Sequence, residues 1–427
     1  MKNDEMKHSS MLPRNANGRI RSSSRCNRWL APWAVLDRPR PATWPQGFRP
    51  TWIEVDWSSL EWNLGVLKSF LPENCSLAAV VKDNAYGHGM VPVSRFLQPR
   101  VEMFAVAILE EGLLLRKAGV KKPVLILNGL WPGQEAAALQ ADLIPSVSAT
   151  EALIRLAEEC ARRGKPGSYH LKLDTGMHRL GLPGGELGDF LGAARRFSPA
   201  VRCEGVFSHL ACADSDESGP TRRQIDLFRS ALAALSDFGL APRWVHLANS
   251  AGVLYWKESH FSLVRPGISL YGYDPKGKNG QGRLRPALSL KSRITMVKEV
   301  KAGQAVGYGG TFVADKDLRI AVIPVGYGDG FSRSWSNCGR IFVRDLAAPV
   351  VGRVSMDTIT ADVSAIPGVA AGEEVVLFGG KGSASADAGD LAERLQTIPY
   401  EILTALSPRI VRIYGFHPDL ASHGPGS

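Results

Sequence analysis

The chain has no cysteine pair at metal-ligand or redox spacing. Its six cysteines (Cys26, Cys75, Cys160, Cys203, Cys212 and Cys338) are scattered through 427 residues without a C-x-x-C. That pattern argues against a zinc site and a disulfide framework, and it fits reduced thiols in a cytoplasmic protein. No run approaches the ~20 uninterrupted apolar residues that a membrane-spanning helix needs. The first residues lack the compact apolar core of a secretory signal. No G-x-G-x-x-G follows the first buried strand candidate, which disfavours an open dinucleotide-binding sheet. The net charge of +10 looks like a nucleic-acid signal until it is located. Ten of the 51 basic and three of the 41 acidic residues lie in positions 1–50, so the remainder is close to neutral. A nucleic-acid partner therefore finds no support in the body of the protein.

Residues 1–50 contain Arg21-Ser22-Ser23-Ser24-Arg25 and prolines at 39, 41, 45 and 50, with no hydrophobic period. They read as a disordered basic extension. A transit-type peptide is an alternative that Asp4 and Glu5 disfavour; an over-long start of the chain is another. From about residue 78, short β-branched runs alternate with longer amphipathic ones. Strands are predicted at 78–82, 104–108, 124–128, 144–148, 170–174, 205–209, 245–249 and 263–268. Helices between them include 110–118, 151–163 and 222–238, where apolar residues recur at three and four spacing. Eight such repeats predict an α/β protein with an N-terminal (β/α)8 barrel over 51–283, the alternative being an open doubly wound sheet. After residue 284 the texture becomes short strands with Gly and Pro turns, at 293–300, 318–325, 340–343, 350–354, 360–363 and 374–378. This predicts a mostly β C-terminal domain over 284–427.

A barrel places ligand chemistry at the C-terminal ends of its strands, and the unusual residues of this region fall there. Lys82 closes the first strand candidate and is followed at once by Asp83-Asn84-Ala85-Tyr86-Gly87-His88-Gly89. A desolvated lysine has a lowered pKa and can form a Schiff base. Taken alone it could equally be a surface lysine, but the residues after it suit a ligand-facing loop better than packing. The fifth strand ends in Asp174-Thr175-Gly176-Met177-His178-Arg179, the sixth in Ser208-His209, and the seventh in His246-Leu247-Ala248-Asn249-Ser250-Ala251-Gly252. The eighth contains Arg265-Pro266-Gly267-Ile268. Any one cluster could be a capped helix or a structural histidine, whereas five on one rim point to a site. Ser250 with the amides around Gly252, Gly267 and Ile268 could cradle a phosphate, although two ordinary tight turns read as well in isolation.

The segment Val80-Val81-Lys82-Asp83-Asn84-Ala85-Tyr86-Gly87-His88-Gly89 closely resembles the cofactor-lysine motif of alanine racemases, V-K-A-N-A-Y-G-H-G. Asp83 stands where alanine is commoner. The resemblance runs in order from Thr51 to Tyr414, through Val306-Gly307-Tyr308-Gly309-Gly310, Gly326-Tyr327-Gly328-Asp329-Gly330 and Gly352-Arg353-Val354-Ser355-Met356-Asp357, to Pro399-Tyr400-Glu401-Ile402. It implies pyridoxal 5′-phosphate carried on Lys82. Tyr86, Tyr400, Ser250, Gly267 and Ile268 would hold the phosphate, with His209 and Asn249 close by, and Arg265 would face the pyridine nitrogen. It also implies two catalytic bases, Lys82 and Tyr308, with Tyr308 assisted by His209. Arg179, Met356 and Tyr327 would meet the substrate, and Lys172 matches a lysine that is carbamylated in many relatives; its bland alternative is a solvated strand lysine. The strand at 51–61 would join the β domain. Tyr308, Tyr327 and Met356 would reach a neighbouring subunit in a homodimer with composite sites. The implied activity is racemisation of L- and D-alanine for cell-wall peptidoglycan, in the cytoplasm, with no metal.

Three rivals remain open at this stage. A basic amino-acid decarboxylase of the same fold type would need a carboxylate at the ring nitrogen, where Arg265 stands. A non-catalytic cofactor carrier would need no β domain. A racemase for serine or another amino acid would share the same motifs.

Overall fold

The computed structural model describes residues 49–277, 282–379 and 386–415. Strand β1 (Thr51–Val55) is followed by eight parallel strands, β2 (Ser76–Val80), β3 (Met103–Val106), β4 (Val124–Ile126), β5 (Ile144–Val147), β6 (Gly167–Lys172), β7 (Val201–Phe207), β8 (Trp244–His246) and β9 (Leu263–Val264). Their order, β8-β7-β6-β5-β4-β3-β2-β9, is sequential around a ring. Two backbone bonds, Ser262 N–H to Val245 O at 3.0 Å and Arg265 N–H to Ala248 O at 2.9 Å, link the two ends of that order. The barrel expectation is met, and each predicted strand is found within a few residues of its expected place.

The crossover helices form because their apolar residues line one face. In Thr150–Arg163, Leu153, Leu156, Ala157 and Cys160 are buried at three, one and three spacing, and Gly164 ends the helix in the left-handed region at φ 65°. Gly164 has no Cβ to oppose that turn. Each buried Leu side chain on this face contributes about 1.5–3 kcal/mol. Helix Trp57–Ser69 starts where the Asp56 carboxylate accepts from Ser58 N–H at 3.0 Å, satisfying a donor that the helix itself leaves unpaired.

The C-terminal region contains β10 (Leu288–Arg293), β11 (Met296–Val300), β12 (Ala305–Val306), β13 (Phe312–Val313), β14 (Leu318–Ile323), β15 (Arg340–Val343), β16 (Leu346–Pro349), β17 (Ile359–Asp362), β18 (Glu374–Phe378) and β19 (Val411–Tyr414). One sheet has the order β16-β15-β18-β10-β1-β19 and a second has β11-β14-β17. Strand β1 is therefore built into the β domain, between β10 and β19, as expected for the start of 51–61.

Two expectations are corrected. The single strand over 293–300 is two, because the chain turns at Ile294-Thr295 from one sheet into the other. The strand over 350–354 is only a bridge at Val350, and the pairing belongs to β16 instead. The extension over 1–50 falls outside the described residues up to position 48, but Arg49 and Pro50 are held in place. Pro50 O accepts from Arg293 N–H, and Arg49 binds the carboxylate of Asp329.

The two regions meet at the loop after β2. Gly87 lies at φ 80°, and a Cβ there would come within 2.3 Å of the Leu403 carbonyl oxygen, in helix Pro399–Thr404. Gly87→Ala is expected to lower the melting temperature clearly, because both the backbone conformation and the contact forbid the methyl group. Gly184→Ala, where a Cβ meets nothing within 4 Å, is the control for scanning calorimetry and should stay near the parent value.

Candidate active site

Strand β2 ends at Val80, and Lys82 opens a turn in which Asp83, Asn84, Ala85 and Tyr86 all have φ between 50° and 54°. Four consecutive left-handed residues are costly, at about 1–2 kcal/mol each for ordinary side chains. The turn is held from several sides. Glu111 accepts from Asp83 N–H at 2.6 Å and from Ala107 N–H at 2.7 Å. Asn84 Oδ1 accepts from Met90 N–H, His88 Nδ1 lies 3.0 and 2.9 Å from the Ala85 and Tyr86 carbonyls, and Arg412 Nε donates to Gly87 O at 2.8 Å. Lys82 stands at the start of this braced turn. Its side chain is 37% exposed with Nζ 3.6 Å from Asp83 Oδ2, so burial alone does not set its chemistry, contrary to the expectation of a desolvated amine.

Arg265, just past β9, is the centre of a buried network. Its Nη1 donates to His246 Nδ1 at 2.6 Å, and its Nη2 to Ser208 O at 2.7 Å and to Leu247 O at 3.3 Å. His209 Nδ1 lies farther off, 3.4 Å from Nη2. A guanidinium can only donate, which fixes the protons along the chain. His246 Nδ1 must be bare, so its proton sits on Nε2 and is donated to His170 Nδ1, 2.9 Å away. The His170 proton then sits on Nε2, which has no partner among the described residues. Phe207 stacks on His246 with centroids 4.8 Å apart, and its ring also lies 5.0 Å from the Arg265 guanidinium carbon and 5.5 Å from Lys172 Nζ. Burial pushes the Arg265 guanidinium down to about 9, so it remains cationic at neutral pH.

Lys172, at the end of β6, is buried and donates to Leu127 O at 3.0 Å. The solvated-lysine alternative is overturned. Burial first, then the charges of Arg265, Arg179 and Lys82, lower its amine to about 8. Arg179 itself is exposed, in a loop tied by Asp174, whose Oδ1 accepts from the Gly176, Met177 and His178 amides.

Ser250, Gly267 and Ile268 come together as expected: Ser250 Oγ accepts from Gly267 N–H at 2.9 Å and from Ser269 N–H at 3.3 Å. Tyr86 closes over this turn, and a Cβ on Gly267 would lie 2.3 Å from the Tyr86 hydroxyl. The rings of Tyr86 and Tyr400 are 6.0 Å apart. Burial, then each other's neighbourhood and nearby carboxylates, raise Tyr86, and burial raises Tyr400 to about 12, so both phenols keep their protons. Neither hydroxyl donates to a described residue. The set of two phenols, a serine and backbone amides suits a phosphate, and the Arg265 Nε–H, which finds no acceptor among the described residues, suits a ring nitrogen. Asn249 is spent otherwise. Its Oδ1 caps helix Ser250–Tyr255 by accepting from Gly252 N–H, and its Nδ2 donates to Leu210 O.

Tyr308, Tyr327 and Met356 lie on the β domain and are exposed by 71%, 42% and 54%. The structure brings their turns together. Tyr327 N–H donates to Ser355 O at 3.0 Å and Gly328 N–H to Met356 O at 2.9 Å. A Cβ on Gly309 would come within 3.1 Å of the Arg353 guanidinium. Among the described residues, no hydrogen bond joins Tyr308 to His209.

The pattern that defines the alanine racemase N-terminal domain matches residues 55–275, and that of the alanine racemase C-terminal domain matches residues 287–414. The chain belongs to the alanine racemase family. It is 42% identical over 374 residues to the alanine racemase of Syntrophobacter fumaroxidans, covering 87% of this chain and 99% of that one. The crystal structure of alanine racemase from D-cycloserine-producing Streptomyces lavendulae superposes with a TM-score of 0.83 at 34% identity, over 88% of this chain and all of that one. The Bartonella henselae alanine racemase, solved with covalently bound pyridoxal phosphate, gives 0.77 at 29%, over 86% and 100%.

The sequence places His246 in the seventh-strand cluster but not its partner: His246, where only His209 is expected, is the near neighbour of Arg265. His170, which extends the network behind it, escapes sequence reasoning because its strand position looks like barrel filling, although a histidine among apolar residues must bond to something.

Burial holds His88 at about 4 and His170 at about 3, and it holds His209 and His246 well below the usual value, with Arg412 or Arg265 adding repulsion. All four are neutral when folded, whereas an unfolded imidazole takes a proton near pH 6.5. Below that pH the unfolded chain binds more protons, so stability is expected to fall from pH 6.5 toward 4. His88→Asn keeps a donor at the Nδ1 position and removes the titration. It should reduce the slope of melting temperature against pH between 6.5 and 5, the other three histidines keeping the remainder, and a slope equal to the parent's would contradict the assignment.

Proposed function

We propose that this chain interconverts L- and D-alanine with pyridoxal 5′-phosphate, by two bases, in a homodimer whose sites are composite. The observation that carries the reading is Arg265, buried, cationic and donor-only at the strand end that faces the other site residues. A decarboxylase would need an acidic partner for the ring there. Lys82 would hold the cofactor covalently. Tyr86, Tyr400, Ser250 and the amides of Gly267 and Ile268 would hold its phosphate, and Arg265 would donate to its ring nitrogen. Bound there, the cofactor supplies an electron sink that acidifies the substrate Cα–H. By donating and never protonating, Arg265 keeps that sink weak, which disfavours decarboxylation and transamination relative to proton exchange.

Lys82 Nζ, once the substrate amine has replaced it on the cofactor, would take or return the Cα proton on one face, and Tyr308 of the partner subunit would do so on the other, beside His209. A phenol has an ordinary pKa near 10 and needs positive surroundings to act as a base near neutrality; Arg179 and Arg265 supply them. Arg179 and the Met356 backbone hold the substrate carboxylate, and Tyr327 lines the way in. The lowered amine of Lys172 leaves more of it neutral, the form that adds carbon dioxide, and the resulting carbamate would accept from Arg179. The D-alanine formed serves cell-wall peptidoglycan, and the setting is cytoplasmic, with no nucleic-acid or membrane partner.

Lys82→Ala is expected to abolish covalent cofactor attachment and racemisation in both directions. Borohydride reduction of the parent enzyme followed by peptide mapping should place the label on Lys82, and a label on any other lysine rules the assignment out.

Tyr308→Phe is expected to lose about 10²–10⁴-fold in turnover while retaining the cofactor. It should still exchange the α-proton of one enantiomer with deuterated solvent, through Lys82. Mixing Lys82→Ala chains with Tyr308→Phe chains should restore activity in hybrid dimers. Equal exchange of both enantiomers would refute the two-base assignment. Failure of complementation despite proven subunit exchange would refute the composite site.

A further inference from the structure

The Tyr327 turn is anchored by a carboxylate that no role above uses. Asp329 is fully buried, yet it is ionised and shared between two guanidinium groups drawn from opposite ends of the chain. Arg49 grips it with both prongs, Nη1 to Oδ2 at 2.9 Å and Nη2 to Oδ1 at 2.5 Å. Arg409 Nε donates to Oδ1 at 2.8 Å, and Arg409 Nη2 donates to Asp357 Oδ1 at 2.7 Å. Asp329 Oδ2 also accepts from Gly326 N–H at 3.0 Å, which closes the turn on itself. Burial pushes this carboxyl up, and the bonds from Arg49, Arg409 and Gly326 outweigh it and hold the group below the usual carboxylate range.

The position of this cluster gives it a consequence. Asp329 lies two residues after Tyr327, and Asp357 directly follows Met356, so Arg409 ties the two loops together from beneath. The loops are also laced by Tyr327 N–H to Ser355 O and Gly328 N–H to Met356 O. There is no slack for sliding: a Cβ on Gly326 would meet Ser355 O at 2.2 Å, and one on Gly330 would meet Ala405 O at 2.3 Å. Arg49 enters from the other side. Its own carbonyl accepts from Thr51 N–H at 2.8 Å, and Thr51 Oγ1 donates to Pro324 O at 2.7 Å, two residues before Gly326. A two-pronged guanidinium–carboxylate pair fixes both distance and angle, which a lysine cannot do.

We propose that Arg49 is a positioning residue for the substrate: with Arg409 it clamps buried Asp329 and thereby sets where Tyr327 and the Met356 backbone stand. This rests on the reading that those two groups face the substrate. Arg49 touches neither substrate nor cofactor, and the clamp acts on alanine binding rather than on either base.

The test uses the cofactor-loaded enzyme. Arg49→Gln is expected to raise KM for both enantiomers by about tenfold, since loosened placement of substrate-contacting groups weakens binding. Its kcat should change less than twofold and its cofactor content should match the parent's. Hydrogen–deuterium exchange should quicken across 326–330 and 355–357, where the amides of Tyr327 and Gly328 lose their carbonyl partners. Arg49→Lys, which keeps the charge and loses the fork, should fall between the two and covers the case in which Arg49→Gln does not fold. An unchanged KM in either variant overturns the clamp, even if the melting temperature falls, since that is what a purely structural pair would give. Tyr327→Ala separates the two readings. If it raises KM while the Arg49 variants do not, only the clamp fails. If it leaves KM unchanged, the substrate-facing reading fails, and the clamp with it.

Discussion

Arg265 is buried, cationic and able only to donate, and the rest of the barrel's polar interior is arranged to meet that demand. Each neighbour within reach offers an acceptor: His246 Nδ1, the carbonyls of Ser208 and Leu247 and, at longer range, His209 Nδ1. A buried cation is expensive unless it is bonded. The cheapest way to meet it is with neutral acceptors, because protonating any of these imidazoles would place a second positive charge beside the first. The histidines are thereby fixed in charge and in tautomer. The ring of His246 is further fixed in orientation by its stack on Phe207. A guanidinium so surrounded cannot swing or lose its proton, which is the state a weak, non-protonating ring partner requires.

The other constraint is conformational. The turn after Lys82 runs through four left-handed residues, an arrangement that isolated L-residues avoid. It persists because it is over-determined: Glu111 holds its start, His88 its middle, and Arg412 its end. Tyr414 adds a bond from its hydroxyl to His88 O at 3.1 Å. Arg412 and Tyr414 belong to β19, which pairs with β1 in the β domain. The loop that begins with Lys82 is therefore moulded by a strand more than 300 residues later in the chain. Strain of this kind is tolerated where a side chain must be presented at a set angle, and here it also couples the barrel mouth to the other domain.

The strand–helix alternation and the rim clusters at Lys82, Asp174, His209, Asn249 and Arg265 were legible because each is local: a period of side chains, or a group of polar residues at a strand end. What was not legible depends on partners far away in sequence. The β15–β16 hairpin turns through Arg344-Asp345, both left-handed, where Asn-Gly would have been the recognisable signal. Arg344 compensates by gripping Glu373 and the Pro367 and Gly368 carbonyls. Arg49 read as part of a featureless basic tail because its meaning lies in Asp329, 280 residues away. The partner of His246 was hidden because only the fold places Arg265 beside it. Tyr308, by contrast, stands out in sequence through its glycine-flanked motif, and it is exposed within one chain.

Taken as a whole, the rim collects Lys82, Lys172, Arg179 and Arg265, and the charges of the other three all act on Lys172. The carboxylates nearby are engaged elsewhere: Glu111 holds backbone amides, and Asp174 caps its own loop. Among the described residues, only Asp83 approaches one of these cations, at 3.6 Å from Lys82. A mouth with that balance is not at ease with itself, since clustered cations partly removed from water repel one another. It is suited to a ligand bearing two separate negative groups: a phosphate at the Ser250–Gly267 turn and a carboxylate beside Arg179. The same electrostatics favour such a ligand, and with burial they lower the amine of Lys172 toward its neutral form.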